Sequence, residues 1–108
     1  MEDLRKLHEK QDEFQLVDCR EPWEWQVGRI EGSIHVPLNA LMAGGEQGVV
    51  DQTRPVVMVC KSGARSELAT HLLRARGYDA ENMEGGLEAW VAAGLPISTP
   101  DGEPGRVA

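Results

Sequence analysis

The sequence predicts an α/β domain: a mainly parallel sheet of four or five strands with helices on both faces. Three observations point there. Strand-like and helix-like segments alternate along the chain, and the connections between them are short. The strongest strand, Pro55-Val56-Val57-Met58-Val59-Cys60, is continuously apolar, as a central strand covered on both sides must be. The 108 residues suffice for a single core. We read residues 1–97 as the domain and residues 98–108 as a flexible tail, because two prolines and two glycines fall between Ser98 and Ala108.

The elements follow in order. Glu2 to Lys10 carries Leu4 and Leu7 at helical spacing among charges, which predicts a short surface helix. Phe14 to Cys19 is apolar and partly β-branched, a strand with Asp18 near its end. Pro22 stands where the first turn of a helix tolerates proline, and Gly28 closes that helix. Ser33 to Val36 is a second short strand, stopped by Pro37. Ala43 to Gly48 holds three glycines and reads as a mobile loop. After the central strand, Arg65 to Arg76 is a helix with Leu68, Ala69, Leu72 and Leu73 inward, closed by Gly77. Asp79 to Met83 is a weak last strand. Gly85-Gly86 then turns into a helix with Leu87, Trp90 and Val91 inward, ended by Gly94.

Composition narrows the function. The net charge of −7 argues against nucleic-acid binding, which needs a positive footprint. No apolar run approaches the ~20 residues of a membrane span. The first residues are charged and lack a signal-peptide core, so the reading places the chain in the cytoplasm. Cys19 and Cys60 are too few for a disulfide framework, and His8, His35 and His71 are scattered without metal-ligand spacing. Neither a metal nor a cofactor is expected. The charge is uneven, however. Residues 60–76 hold Lys61, Arg65, Arg74 and Arg76 against Glu67 alone. Such an island suits a small anionic ligand, although a basic solvent face on a helix would look the same.

Ligands of parallel sheets bind at the carboxyl ends of the strands. That rule selects Asp18, Cys19, Arg20 and the segment Cys60-Lys61-Ser62-Gly63-Ala64-Arg65-Ser66. In the latter, a cysteine ends a buried strand and a helix begins a few residues on. Gly63 permits the tight turn, which aims backbone N–H groups inward as an anion nest. The helix N-terminus, Lys61 and Arg65 add positive charge. All of these favour thiolate over thiol, making Cys60 a candidate nucleophile. A buried structural cysteine is the plainer alternative.

These residues resemble those of the rhodaneses, or thiosulfate sulfurtransferases. The loop resembles the Cys-x-x-Gly-x-Arg-Ser form of single-domain members. Leu16-Val17-Asp18-Cys19-Arg20-Glu21-Pro22-Trp23-Glu24-Trp25 resembles their Asp-Val-Arg-Glu segment and following aromatic. Gly28-Arg29-Ile30-Glu31-Gly32-Ser33 with Pro37-Leu38 is similar to Gly-His-Ile-x-Gly-Ala and its closing Pro-Leu. Gly85-Gly86-Leu87-Glu88-Ala89-Trp90 and Gly94-Leu95-Pro96-Ile97 match the C-terminal signature. The four motifs stand in the right order over residues 14–97. Departures are mild: Cys19, Arg29 and Ser33 replace the commoner Val, His and Ala, and little chain precedes the first helix for the usual edge strand.

The resemblance implies sulfur transfer by double displacement. Cys60 takes the outer sulfur of thiosulfate or a similar anionic donor as a persulfide, then passes it to cyanide or a thiol. It implies that Lys61, Ser62, Gly63, Ala64, Arg65 and Ser66 bind the donor, with Lys61 and Arg65 on its oxygens. Asp18 and Arg20 act as supports, and Gly85 and Gly86 let a second turn pass close to the loop. A persulfide carrier that docks on a partner protein would carry the same residues. A cysteine phosphatase or arsenate reductase fits less well, because such phosphatases place one residue more between cysteine and arginine. Cys19 reads as a small apolar filler turned away from the loop by strand alternation. Attack of Cys19 on the Cys60 persulfide is the sharper alternative.

Overall fold

In the computed structural model, which describes residues 3–108, four strands pair in parallel. They are β1 (Gln15–Asp18), β2 (Ile34–His35), β3 (Val56–Val59) and β4 (Ala80–Asn82), in the spatial order β2-β1-β3-β4. The helices are α1 (Leu4–Glu9), α2 (Pro22–Val27), α3 (Leu38–Met42), α4 (Ala64–Ala75) and α5 (Gly86–Ala92). From β1 the chain moves outward to β2, then crosses back to place β3 on the other side. The order therefore reverses between β1 and β3, and their carboxyl ends flank the crevice that such a reversal opens. The expectation of a mainly parallel sheet with helices on both faces holds, with four strands among the described residues.

Strand alternation divides the interior into two cores. Val17, Val56, Met58 and Ala80 face α3 and α4, meeting Leu41, Ala69 and Leu73. Leu16, Val57 and Val59 face the opposite way, onto Leu7 of α1 and Leu87 and Trp90 of α5. Trp90 is fully buried, and its indole N–H donates to the Pro96 carbonyl at 2.9 Å.

Local chemistry explains the boundaries. Pro22 opens α2 beside a capping box, in which Glu21 and Glu24 each accept from the other's backbone N–H. Gly28 ends it where a Cβ would stand 2.3 Å from the Arg106 carbonyl oxygen. The first predicted helix starts at Glu2, outside the described residues. From Leu4 onward it is present, with the Asp3 carboxylate accepting the Arg5 N–H at 2.8 Å.

Three expectations need correction, and one helix lies where none was expected. α3 was not foreseen, since five residues are too few to show a helical period. On α4, Leu68 is 49% exposed, and the buried face is Ser66, Ala69, Thr70 and Leu73. Ser66 and Thr70 belong there because their hydroxyls hydrogen-bond within the fold. On α5, Val91 is likewise exposed. Ala43 to Gly48, read as a mobile loop, is a run of turns anchored by Glu46, which is 1% exposed and bound to Arg76 at 2.9 Å. Beyond Ile97 the chain folds back: the Gly105 N–H donates to Ile97, the Arg106 N–H donates to Val27, and Val107 packs against the α1–α5 core.

Candidate functional site

β3 delivers Cys60 to the crevice, and the chain then turns at Gly63, whose φ of 104° lies in the left-handed region that glycine tolerates. That turn brings the Gly63 N–H to 3.0 Å from the Cys60 Sγ. α4 starts at the next residue, and within its first turn the Ser66 hydroxyl lies 3.2 Å from the same sulfur. Burial pushes the Cys60 thiol up, but hydrogen bonds from the Ser66 hydroxyl and from the N–H groups of Ser66, Gly63 and Ser62 outweigh it. The net effect holds Cys60 below the ordinary thiol value. Cys60 is 1% exposed, Lys61 is half-buried, and Ser62 and Ala64 are exposed around it.

A second helix braces the loop. The N–H groups of Leu87 and Glu88, in the first turn of α5, donate to the carbonyls of Cys60 and Lys61 at 2.9 and 3.0 Å. They satisfy otherwise orphaned helix donors and turn those carbonyls toward α5. The approach is close enough to demand glycine at Gly86, where a Cβ would lie 2.4 Å from the Cys60 oxygen. Asn82, at the end of β4, completes the brace. Its amide donates to the Gly63 carbonyl at 3.1 Å, and its side-chain oxygen accepts from Ser66.

Arg65, at the start of α4, also has a partner that the sequence did not show. Both of its terminal nitrogens bind the Glu24 carboxylate, at 2.6 and 2.9 Å. Glu24 is buried, and its pairing with Arg65 holds it below the usual carboxylate range while raising the guanidinium. Asp18 and Arg20 form a fully buried pair, closed by three side-chain hydrogen bonds. Arg20 also reaches the carbonyls of Gly28, at 2.6 Å, and Glu24, at 3.4 Å. The pair thus holds α2, α2 carries Glu24, and Glu24 holds Arg65 at the start of α4. Sequence reasoning missed Glu24 and Asn82. For Glu24 a signal existed, a carboxylate three residues after Glu21 in a helix start. For Asn82 there was none.

What the arrangement can do follows from these distances. It places the Cys60 sulfur at the focus of backbone donors and a helix N-terminus, a setting that favours negative charge on that sulfur. Among the described residues, no His, Cys, Asp or Glu cluster could hold a metal ion, and no helix is long and apolar enough to cross a membrane.

Known proteins resemble this chain over most of its length. The model of the rhodanese-like domain matches residues 1–93. A sulfurtransferase of Allochromatium vinosum is 38% identical over 88 residues, which cover 81% of this chain and 80% of that protein. The thiosulfate sulfurtransferase GlpE of Vibrio cholerae is 33% identical over 82% of each chain. The crystal structure of a rhodanese-related protein from Thermoplasma volcanium superposes with a TM-score of 0.80 at 28% identity, covering 87% of this chain and 92% of that one.

Proposed function

The chain belongs to the rhodanese-like domain family, and from that premise we propose that it is a sulfurtransferase working through a persulfide on Cys60. The carrying observation is the Cys60 Sγ within hydrogen-bond reach of the Gly63 N–H and the Ser66 hydroxyl at the start of α4. In the first half-reaction the thiolate attacks the outer sulfur of thiosulfate. The S–S bond of the donor breaks, sulfite leaves with the electron pair, and Cys60 holds the persulfide. In the second, cyanide or a thiol attacks the outer sulfur and restores the thiolate. The loop N–H groups stabilise the charge on the donor and then on the persulfide.

Lys61 is the cation we assign to the donor's oxygens. Arg65, committed to Glu24 through both terminal nitrogens, fixes the loop against α2 and adds its charge at longer range. Asp18 and Arg20 act at one remove, through α2. Intact-protein mass spectrometry after thiosulfate treatment tests this reading. The expected result is a gain of one sulfur atom, removed by a reductant and absent in Cys60→Ser, whose turnover with thiosulfate and cyanide falls to background. Appreciable turnover in Cys60→Ser would overturn it. Loading without turnover on cyanide, and discharge only onto a protein, would make the chain a carrier instead.

A further inference from the structure

Transfer to an external acceptor leaves one buried thiol without a task. β1 and β3 pair in register with Asp18 opposite Val59, and the Cys19 N–H continues the ladder onto the Val59 carbonyl at 2.9 Å. Cys19 therefore stands opposite Cys60. The two strands alternate in phase: Val17 and Cys19 share one core with Val56, Met58 and Cys60, while Leu16, Val57 and Val59 share the other. Alternation thus turns Cys19 toward the face that Cys60 uses, not away from it as the sequence suggested. Neighbouring strands run about 4.7–4.9 Å apart, within the roughly 4.4–6.8 Å between Cα atoms that a disulfide spans. Both cysteines are free, and each is 1% exposed.

We propose that, when no acceptor arrives, Cys19 discharges the Cys60 persulfide, releasing sulfide and closing a Cys19–Cys60 disulfide. The step rests on the persulfide reading above. The Cys19 sulfur attacks the Cys60 Sγ, and the bond from Sγ to the outer sulfur breaks. That sulfur departs with the electron pair and takes the Cys19 proton, leaving as hydrosulfide. Cys19 is oxidised and the transferred sulfur is reduced, so the persulfide itself is the oxidant. A small thiol reductant reopens the disulfide.

The same geometry keeps Cys19 quiet until loading. Burial, the neighbouring Cys60 charge and Asp18 push its thiol up to about 12, so it stays protonated beside a free thiolate. In the persulfide the negative charge moves from Sγ to the outer sulfur, which relieves one of those causes.

The test loads wild type and Cys19→Val with a limiting amount of thiosulfate, anaerobically and without acceptor, and follows intact mass, free sulfide and a non-reduced peptide map. Wild type should lose its added sulfur, release it as sulfide, and end two hydrogens lighter than it began, with Cys19 and Cys60 in one cross-linked peptide. Cys19→Val should keep the persulfide. A persulfide of equal lifetime in both proteins overturns the proposal, as does sulfur loss from wild type without the cross-linked peptide, a readout that needs no variant. If neither protein gains sulfur and wild type forms no cross-linked peptide and releases no sulfide, the persulfide reading itself is overturned, and this step with it.

Discussion

Two opposed pressures meet at Cys60: burial disfavours its charge, and four hydrogen bonds favour it. The Ser66 hydroxyl is the most instructive of these, because its single proton faces three acceptors, the Cys60 Sγ, the Gly63 carbonyl and the Asn82 side-chain oxygen. A hydrogen bond to a charged group contributes about 1.5–3 kcal/mol, and sharing the proton favours the lower end. Ser66→Ala should therefore move the thiolate midpoint of Cys60 upward, toward an ordinary thiol. The sign is fixed by which form Ser66 stabilises: removing a donor to the thiolate makes deprotonation harder. The rate of alkylation followed against pH reads the midpoint directly. An unmoved midpoint would leave the backbone N–H groups as the whole source of the depression.

At the scale of elements, the Glu24–Arg65 fork ties α2 to the start of α4, and a substitution pair separates its two tasks. Glu24→Gln can still accept the Glu21 N–H, so it keeps the capping box and loses the ion pair. Glu24→Ala loses both, and the second loss costs about a further 0.5–1.5 kcal/mol. Because Arg65 depresses the Glu24 carboxyl in the folded state, the pair's contribution is fully present above the ordinary carboxylate range. It is lost as pH falls through the depressed value. Wild type should thus exceed Glu24→Gln in urea-unfolding stability near neutrality and lose that margin in acid; a margin independent of pH would contradict the assignment. This fork also marks how far the sequence could be read. The β3 strand, the Gly63 turn and Cys60 were legible because apolar runs and glycine turns are local signals. Partners distant in sequence were not, as with Arg65 reaching Glu24 and Ser66 reaching Asn82. Leu68 and Val91 were misplaced for a related reason. Apolar periodicity alone cannot show that Ser66 and Thr70 claim the buried face of α4 through their hydroxyls.

For the whole molecule, the question raised by the proposed transfer is what would draw an anionic donor to a chain of net charge −7. Residues 60–76 looked like a positive island, but the fold brings carboxylates to it. Glu24 binds Arg65 and Glu46 binds Arg76, so two of the four bases are neutralised by partners from outside the segment. What remains at the loop is Lys61, the start of α4 and the backbone N–H groups, all acting at short range. At longer range the surplus acids dominate. The molecule measures only 34 × 28 × 22 Å, so at low salt, where charges are felt over about 30 Å, an approaching dianion meets the field of the entire chain. Near 0.1 M salt the screening length shrinks to about 10 Å, which removes much of the repulsion while leaving the partly buried loop contacts intact. Adding sodium chloride over that range should therefore raise kcat/KM for thiosulfate severalfold, and leave kcat/KM for a neutral sulfur donor unchanged. Stopped-flow loading measured against salt checks this. A fall with salt for thiosulfate would mean that the positive island acts unneutralised and steers the donor in, contrary to the pairing of Arg65 and Arg76 seen in the fold.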